Sequence, residues 1–471
     1  MDGLILFRPF VITFALNSEK NTLQINMRII IAGAGAVGTH LAKMLADERH
    51  DIVLMDAGEE RLANLEANFD LMTIAARPTS INGLKDAGVA DADLFVAVTP
   101  EESTNITSCI LAHSLGAKKT VARIDNYEYL QPKSKEFFKQ LGVDSLIYPE
   151  MLAAKEIADG LHLSWIRQWW EFSDGALVML GVKLRENAQI LNTPIFQIQK
   201  EQPYHIVTIK RMGETIIPSG ADELRAGDIV YFMTVKRSLP YIRKITGKED
   251  HATIHNLMIM GGSRIAMRAT QLVSDAMSVK IIENDLNRCH WLTDMVDDSV
   301  MIINGDGRDY TLLEEEGIDK IDAFVALTDN SETNILACLS AKRMGVFKTI
   351  AEVENIDYIS MAESLDIGAV INKKKIAASY IYQLLLDADV ENVKCLTFAN
   401  ADVAEFIVKE GARVTRSLVK DIALPKGATI GGLVRKGEGI LVTGDTQIQP
   451  GDHVVVFCLS SMIKRIEKLF N

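Results

Sequence analysis

Residues 27–56 read MRIIIAGAGAVGTHLAKMLADERHDIVLMD: a strand, a glycine turn, a helix and a second strand. Arg28 to Ala32 is a short apolar run fit for a buried parallel strand. Gly33-Ala34-Gly35-Ala36-Val37-Gly38 follows at once, and Val37, Leu41 and Leu45 recur at helical spacing. Ile52 to Met55 is a second apolar run, closed by Asp56. In such a turn Gly33 permits the tight bend, Gly35 lets the main chain approach a pyrophosphate, and Gly38 lets the helix pack on the strand. The helix start then offers free N–H groups and a positive dipole end to phosphates. Asp56, 18 residues beyond Gly38, is placed to accept hydrogen bonds from ribose hydroxyls, which favours NAD(H) over NADP(H).

Outward from this unit, strands and helices alternate. Glu59 to Phe69 and Thr79 to Gly88 read as helices, and Leu94 to Thr99 as a buried strand with Thr99 at its tip. The helix Thr104 to Leu115 and the strand Thr120 to Ile124 follow. This alternation predicts a doubly wound parallel sheet. The same train then recurs. Leu257 to Met260 leads into Gly261-Gly262-Ser263-Arg264-Ile265-Ala266, and Glu283 stands where Asp56 stands. Ala323 to Thr328 repeats the strand ending at Thr99, and Glu332-Thr333-Asn334 repeats Ser103-Thr104-Asn105. Gly33 and Gly261 are 228 positions apart, and Thr99 and Thr328 are 229 apart, so the chain is a duplication. The segments between repeat as well, with Gly227-Asp228 answering Gly451-Asp452 at a separation of 224. In each, the Gly-Asp turn introduces an apolar strand within a small α+β module of roughly 80 residues. A last helix is expected from Ser461 to Phe470. An amphipathic helix joins sheet to module in each half, marked by Ala154, Ile157 and Leu161, then by Ile376, Tyr380 and Leu384. Such helices commonly serve subunit packing.

The expected boundaries are an extension at 1–26, a first nucleotide-binding domain at 27–147, a linker helix at 148–166 and a first module at 167–250. The second set is 255–372, 373–391 and 392–471. The extension is apolar from Leu4 to Leu16 but carries Arg8-Pro9 and lacks a basic leader and a cleavage site. It is either an upstream-start artefact or a short native segment.

At 48% hydrophobic and 24% charged residues the composition is that of an ordinary soluble protein, and the net charge of −13 argues against nucleic acid or anionic lipid as a main partner. The cysteines Cys109, Cys289, Cys338, Cys395 and Cys458 show no metal-ligand spacing and read as thiols of a reducing cytoplasm. No apolar run approaches the ~20 residues of a membrane helix.

The chain resembles the TrkA family, the regulatory subunits of Trk-type potassium uptake systems, built from tandem RCK (also called KTN) and TrkA-C domains. The resemblance rests on the glycine turn with Asp56, on Leu84-Lys85-Asp86-Ala87-Gly88, on Ala97-Val98-Thr99 with Asn105, and on Ala122-Arg123-Ile124. Leu424-Pro425-x-Gly427, Gly451-Asp452-His453 and Glu467-Lys468-Leu469-Phe470 extend it to the end. It implies two Rossmann-like RCK N domains, each followed by a small RCK C module, in a homotetramer. It also implies a cytoplasmic protein, peripheral on the membrane through its potassium-transporting partner. Each N domain would bind NAD(H) or ATP/ADP, through Gly33 to Gly38, Asp56, Thr99, Pro100 and Arg123 in the first half. The corresponding positions of the second are Gly261, Gly262, Ser263, Arg264, Ile265, Glu283, Asp306, Thr328 and Asp329. Thr99 has the alternative of a helix N-cap, and Arg123 that of an interdomain ion pair.

Departures from the family pattern bear on ligand choice. The second half keeps Gly305-Asp306 after its third strand, whereas the first has Ala76-Arg77. Arg77 either favours an added phosphate, tilting the site toward ATP or ADP, or is a solvated surface residue. Ser263 adds a Cβ where main chain should meet pyrophosphate, and Glu352 replaces Arg123, so weaker or altered binding is expected in the second half. An NAD-dependent oxidoreductase is the alternative class. It would need a substrate domain with a general acid or base, and the nine histidines do not cluster. Neither a Walker A motif nor a basic helix-turn-helix is found.

Overall fold

The run at Arg28–Ala32 forms the central strand of the first sheet, buried because helices cover both faces. Ile29 and Ile31 join one apolar cluster, and Ile30 and Ala32 join the cluster on the other face. A computed structural model describes residues 27–46, 50–66, 71–199, 202–250, 253–355, 357–385, 390–395, 401–459 and 462–470. The extension at 1–26 lies outside the described residues.

The first sheet and its helices run β1 (Arg28–Ala32), α1 (Ala36–Ala46), β2 (Asp51–Asp56), α2 (Glu59–Glu66), β3 (Met72–Ala75), α3 (Ile81–Asp86), β4 (Leu94–Ala97), α4 (Glu102–Leu115), β5 (Thr120–Arg123), α5 (Pro132–Gln140) and β6 (Ser145–Ile147). The linker helix α6 (Pro149–His162) follows. The first module runs β7 (Gln168–Phe172), β8 (Leu177–Lys183), α7 (Ile195–Ile198), β9 (Tyr204–Arg211), β10 (Glu214–Ile216), β11 (Ile229–Thr234) and α8 (Leu239–Ile245).

The second half repeats the plan with β12 (Asn256–Met260), α9 (Arg264–Val273), β13 (Ser278–Glu283), α10 (Leu286–Met295), β14 (Met301–Asn304), α11 (Tyr310–Glu315), β15 (Ala323–Ala326), α12 (Ser331–Arg343), β16 (Lys348–Glu352), α13 (Asp357–Ser364), β17 (Ala369–Ile371) and the linker helix α14 (Lys373–Leu385). The second module follows as β18 (Val390–Cys395), β19 (Ala401–Ile407), β20 (Ala428–Arg435), β21 (Glu438–Leu441), β22 (His453–Leu459) and α15 (Ile463–Glu467).

Both large sheets are parallel, ordered β3-β2-β1-β4-β5-β6 and β14-β13-β12-β15-β16-β17. The order reverses between β1 and β4, and between β12 and β15, which opens a crevice at the carboxyl ends of those strands. The two modules share one antiparallel connectivity, β10-β9-β11-β8-β7 and β21-β20-β22-β19-β18. Their repeated Gly-Asp turns have a common cause. Buried Asp228 accepts from Arg211 at 2.7 Å, and buried Asp452 accepts from Arg435 at 2.7 Å, tying each turn to the strand beside it.

Several expected elements differ in their bounds: the strand expected to run to Thr99 ends at Ala97, and the helix expected over Thr79 to Gly88 spans Ile81–Asp86. The closing helix covers only Ile463–Glu467, because the chain then bends to stack Phe470 on Phe406 at 4.9 Å. The helix after Thr99 begins at Glu102, two residues early, with that carboxylate at the positive end of its dipole.

The linker helices cross over. Ala153, Ala154, Ile157 and Leu161 of α6 share an apolar cluster with Ile259, Ile265 and Ala269 of the second half. Reciprocally, Ala377, Ala378 and Ile381 of α14 pack with Leu41 and Leu45 of the first half. The modules meet face to face, with Trp170, Phe172 and Tyr231 against Val403, Val455 and Phe457. One chain thus builds an internal dimer of its two halves.

Candidate functional site: two crevices at the strand tips

In the first half β1 runs into Gly33, whose φ of +115° suits glycine, and a Cβ there would stand 2.9 Å from the Thr99 amide nitrogen. A Cβ on Gly38 would fall 1.9 Å from the Gly33 carbonyl oxygen, so this glycine is needed for helix–strand contact. Gly35 differs: its Cβ would meet nothing within 4 Å, which leaves the main chain open to a ligand. The α1 start at Ala36, with Val37 buried behind it, faces the crevice.

Asp56 ends β2 and is 8% exposed. Its Oδ2 accepts from the Ala34 N–H at 2.7 Å and its Oδ1 from the Gly58 N–H at 2.8 Å. The carboxylate therefore staples the glycine turn and keeps further lone pairs for a ribose diol. Arg61 lies 3.7 Å from it. Thr99 does not cap a helix; its amide and its hydroxyl both donate to Asn105 Oδ1, at 2.9 and 2.7 Å. Asn105 Nδ2 in turn donates to the carbonyls of Thr99 and Arg123, clamping the tips of β4 and β5. Pro100 is exposed beside them. Arg123 pairs with Glu150 of the linker helix α6 at 2.9 Å, the ion pair that the sequence offered as one of its two roles. Arg77 is exposed on the surface.

The second half repeats the geometry around a cavity of about 510 Å³. Gly261 has a φ of +97°, and Glu283 Oε2 accepts from the Gly262 N–H at 2.6 Å, as Asp56 does from Ala34. Thr328, Asn334 and the Glu352 carbonyl form the same clamp. Ser263 caps α9 by accepting from the Ala266 N–H at 3.3 Å. Asp306 and Asp329 line the cavity, with Asp306 held by Arg308 at 2.6 Å. Two expected ligand positions fall elsewhere. Ile265 is buried in the core, and Arg264 reaches across to pair with Asp125, just past β5 of the first half. Neither side chain lines the cavity, because α9 leans on the first half.

Sequence reasoning passed over Arg288, which lines the cavity, donates from Nε to the Gly262 carbonyl at 2.6 Å and stacks over Trp291 at 3.9 Å. A signal existed: Arg61 and Arg288 each follow the strand-ending acid by five residues. Both crevices thus present a glycine turn, an acid and a cation. That set suits a nucleotide's phosphates and ribose. Among the described residues no His/Cys/Asp/Glu group fit to hold a metal ion is present, and no helix is long and apolar enough to cross a membrane.

The TrkA-N domain family matches residues 29–149 and 257–373, and the TrkA-C domain family matches residues 403–471. A Trk system potassium uptake protein TrkA of Haemophilus influenzae is 32% identical over 456 residues, covering 94% of this chain and 98% of that protein. A TrkA homolog of Archaeoglobus fulgidus is 32% identical over 446 residues, with 94% and 100% covered. Among solved structures, the RCK domain of GsuK aligns with a TM-score of 0.61 at 15% identity, covering 95% of each chain. The GsuK channel bound to NAD gives the same TM-score and identity, covering 95% of this chain and 79% of that one. With two TrkA-N domains, a TrkA-C domain and relatives aligned over nearly their whole length, the chain belongs to the TrkA family.

Proposed function

We propose that this protein is a nucleotide-sensing regulatory subunit of a Trk-type potassium transporter, acting in the cytoplasm and docked on the membrane through that partner. The observation that carries it is the duplicated acid–glycine-turn staple, Asp56 on Ala34 and Glu283 on Gly262, in two halves that embrace through exchanged linker helices. The ligands are NAD(H) or ATP/ADP, with Gly33 to Gly38, Asp56, Thr99, Pro100 and Arg123 in the first crevice. In the second they are Gly261 to Ser263, Glu283, Asp306, Thr328 and Asp329. The names of the relatives and the NAD-bound fold neighbour support this reading.

A ligand acts here by preferring one packing of the halves over another, since equal affinity for both shapes shifts nothing. Within a homotetrameric ring, that preference sets the transporter open or closed. Calorimetric titration of the purified chain with NADH, NAD, ATP and ADP gives preference and stoichiometry. Potassium flux through vesicles carrying the transporter partner, with and without the preferred nucleotide, tests the coupling. Silence toward all four nucleotides overturns the sensing role. Steady turnover of a substrate would instead favour the oxidoreductase class.

A further inference from the structure

A second cavity, of about 240 Å³, opens between the first module and the second parallel sheet. It includes Lys348, the first residue of β16, so it lies at the edge of that sheet opposite the glycine turn. Arg167, Lys183, Arg185 and Lys248 enter from the module side, and Lys342 and Lys348 from the sheet side. Among the described residues the lining contains no acid. One carboxylate stands behind it: Asp366 takes ion pairs from Arg167 at 2.5 Å, Lys183 at 2.7 Å, Arg185 at 2.5 Å and Lys342 at 3.0 Å.

Among the described residues, six basic side chains thus crowd around one carboxylate. Lys248 is 6% exposed and lines the cavity. Lys348, 7% exposed, donates to the carbonyls of Ser164 at 3.1 Å and Ile166 at 2.6 Å. Burial, then Arg167, holds Lys348 down to about 7, and burial with Arg185 and Arg167 holds Lys248 down to about 8. Buried cations are ordinarily paired, and like charges in a shared low-dielectric space repel. This geometry keeps them together around open space, a store of repulsion that a multivalent anion relieves. Two of the donors are guanidinium forks, which match phosphate oxygens.

We propose that this cavity is an anion site for the phosphate groups of a compact polyphosphate, and that filling it ties the first module to the second parallel sheet. The shared chemistry is a chain of two or three phosphates, whether inorganic or the tail of a nucleotide.

The probe is inorganic tripolyphosphate, titrated calorimetrically into the full chain at pH 8 with and without saturating NADH. One ion per chain is expected in both conditions. It should bind with proton uptake, read as a buffer-dependent heat, because the anion raises both lysines. K248Q and R185Q should each weaken it about tenfold or more. R185Q, at a half-exposed side chain, carries the test should circular dichroism show K248Q unfolded. ATP added under NADH assigns the source: tighter than tripolyphosphate means a nucleotide tail, equal means the inorganic ion. Three results overturn the proposal: no saturable heat, affinity unchanged in folded variants, or displacement by NADH, which would put the ion in the crevices. A protein whose crevices ignore all four nucleotides yet which binds tripolyphosphate loses only the nucleotide-sensing role.

Discussion

Asp56→Ala separates the two jobs that the acid of the first crevice performs. The carboxylate accepts two main-chain N–H groups, from Ala34 at 2.7 Å and Gly58 at 2.8 Å, and Ala34 is 7% exposed. A hydrogen bond to a charged group contributes about 1.5–3 kcal/mol, and an orphaned buried donor costs a similar amount. The glycine turn should therefore open locally at a cost lower by a few kcal/mol. Since the chain has several domains, a single melting temperature is a poor gauge. Hydrogen exchange of peptides spanning Gly33 to Gly38 is the better one, and roughly ten- to hundredfold faster exchange is expected. Asp56→Asn keeps one acceptor oxygen and should exchange at an intermediate rate. Both variants should lose NADH affinity by tenfold or more, because neither offers two acceptors to the ribose. Exchange in Asp56→Ala equal to that of the parent would refute the staple. Unaltered NADH affinity would refute the ribose contact.

Gly35→Ser imports the serine of the second half. As no atom lies within 4 Å of the added Cβ, stability should stay within about 0.5 kcal/mol while NADH binding falls; retained affinity on calorimetry removes the close pyrophosphate approach. Arg123→Ala breaks a pair in which Glu150 is 5% exposed and its Oε2 has no hydrogen-bond partner; with Lys373 still 3.8 Å away, destabilisation of about 1.5–3 kcal/mol is expected in urea unfolding. Nucleotides should weaken more than adenosine, and equal losses tell against a phosphate role. Burial holds the Glu352 carboxyl up at about 7 against 4.5, despite Lys373 beside it. The native state then binds that proton more tightly than the unfolded chain, so this contribution is full below about pH 4.5 and lost as pH rises through 7. Glu352→Gln should shrink the stability difference between pH 5.5 and 8 by about 2 kcal/mol; an unchanged difference contradicts the shift.

The parallel sheets were legible because their signals are local. Gly33, Gly38 and Gly261 occupy the positions where a Cβ would strike main chain, and the strand-ending acids follow at fixed distance. The three-residue edge strands β6 and β17 carry too few positions to show a period, and neither was anticipated. Asn105 and Asn334 were seen only as repeated letters, since their clamp joins a strand tip to a carbonyl 18 residues on. The exchange of linker helices was invisible for a different reason. An apolar stripe on α6 reads the same whether it covers its own sheet or the other one. The cationic cavity needed both: Arg167 meets Asp366 across 199 positions, a distance no spacing rule spans.

The exchanged helices also place the charges that can couple the crevices. Glu150, near the start of α6, takes Arg123 at 2.9 Å and lies 3.8 Å from Lys373, the first residue of α14. Lys373 also lies 3.6 Å from Glu352, which ends β16 as Arg123 ends β5. The tips of the two fifth strands are thus joined by an arginine–glutamate–lysine–glutamate chain crossing between halves. A phosphate that draws Arg123 away leaves Glu150, one oxygen already without a hydrogen-bond partner, leaning on Lys373 alone. Lys373 then has less charge to share with Glu352, and the carbonyl of that residue is part of the second crevice's clamp. Coupling of this kind is reciprocal by thermodynamic necessity: whatever occupancy of one crevice does to the other is returned in equal measure. Arg123 in the first half and Glu352 in the second thus put opposite charges at the two ends of one electrostatic chain, so the proposed coupling should respond to an anion at one end and to pH at the other.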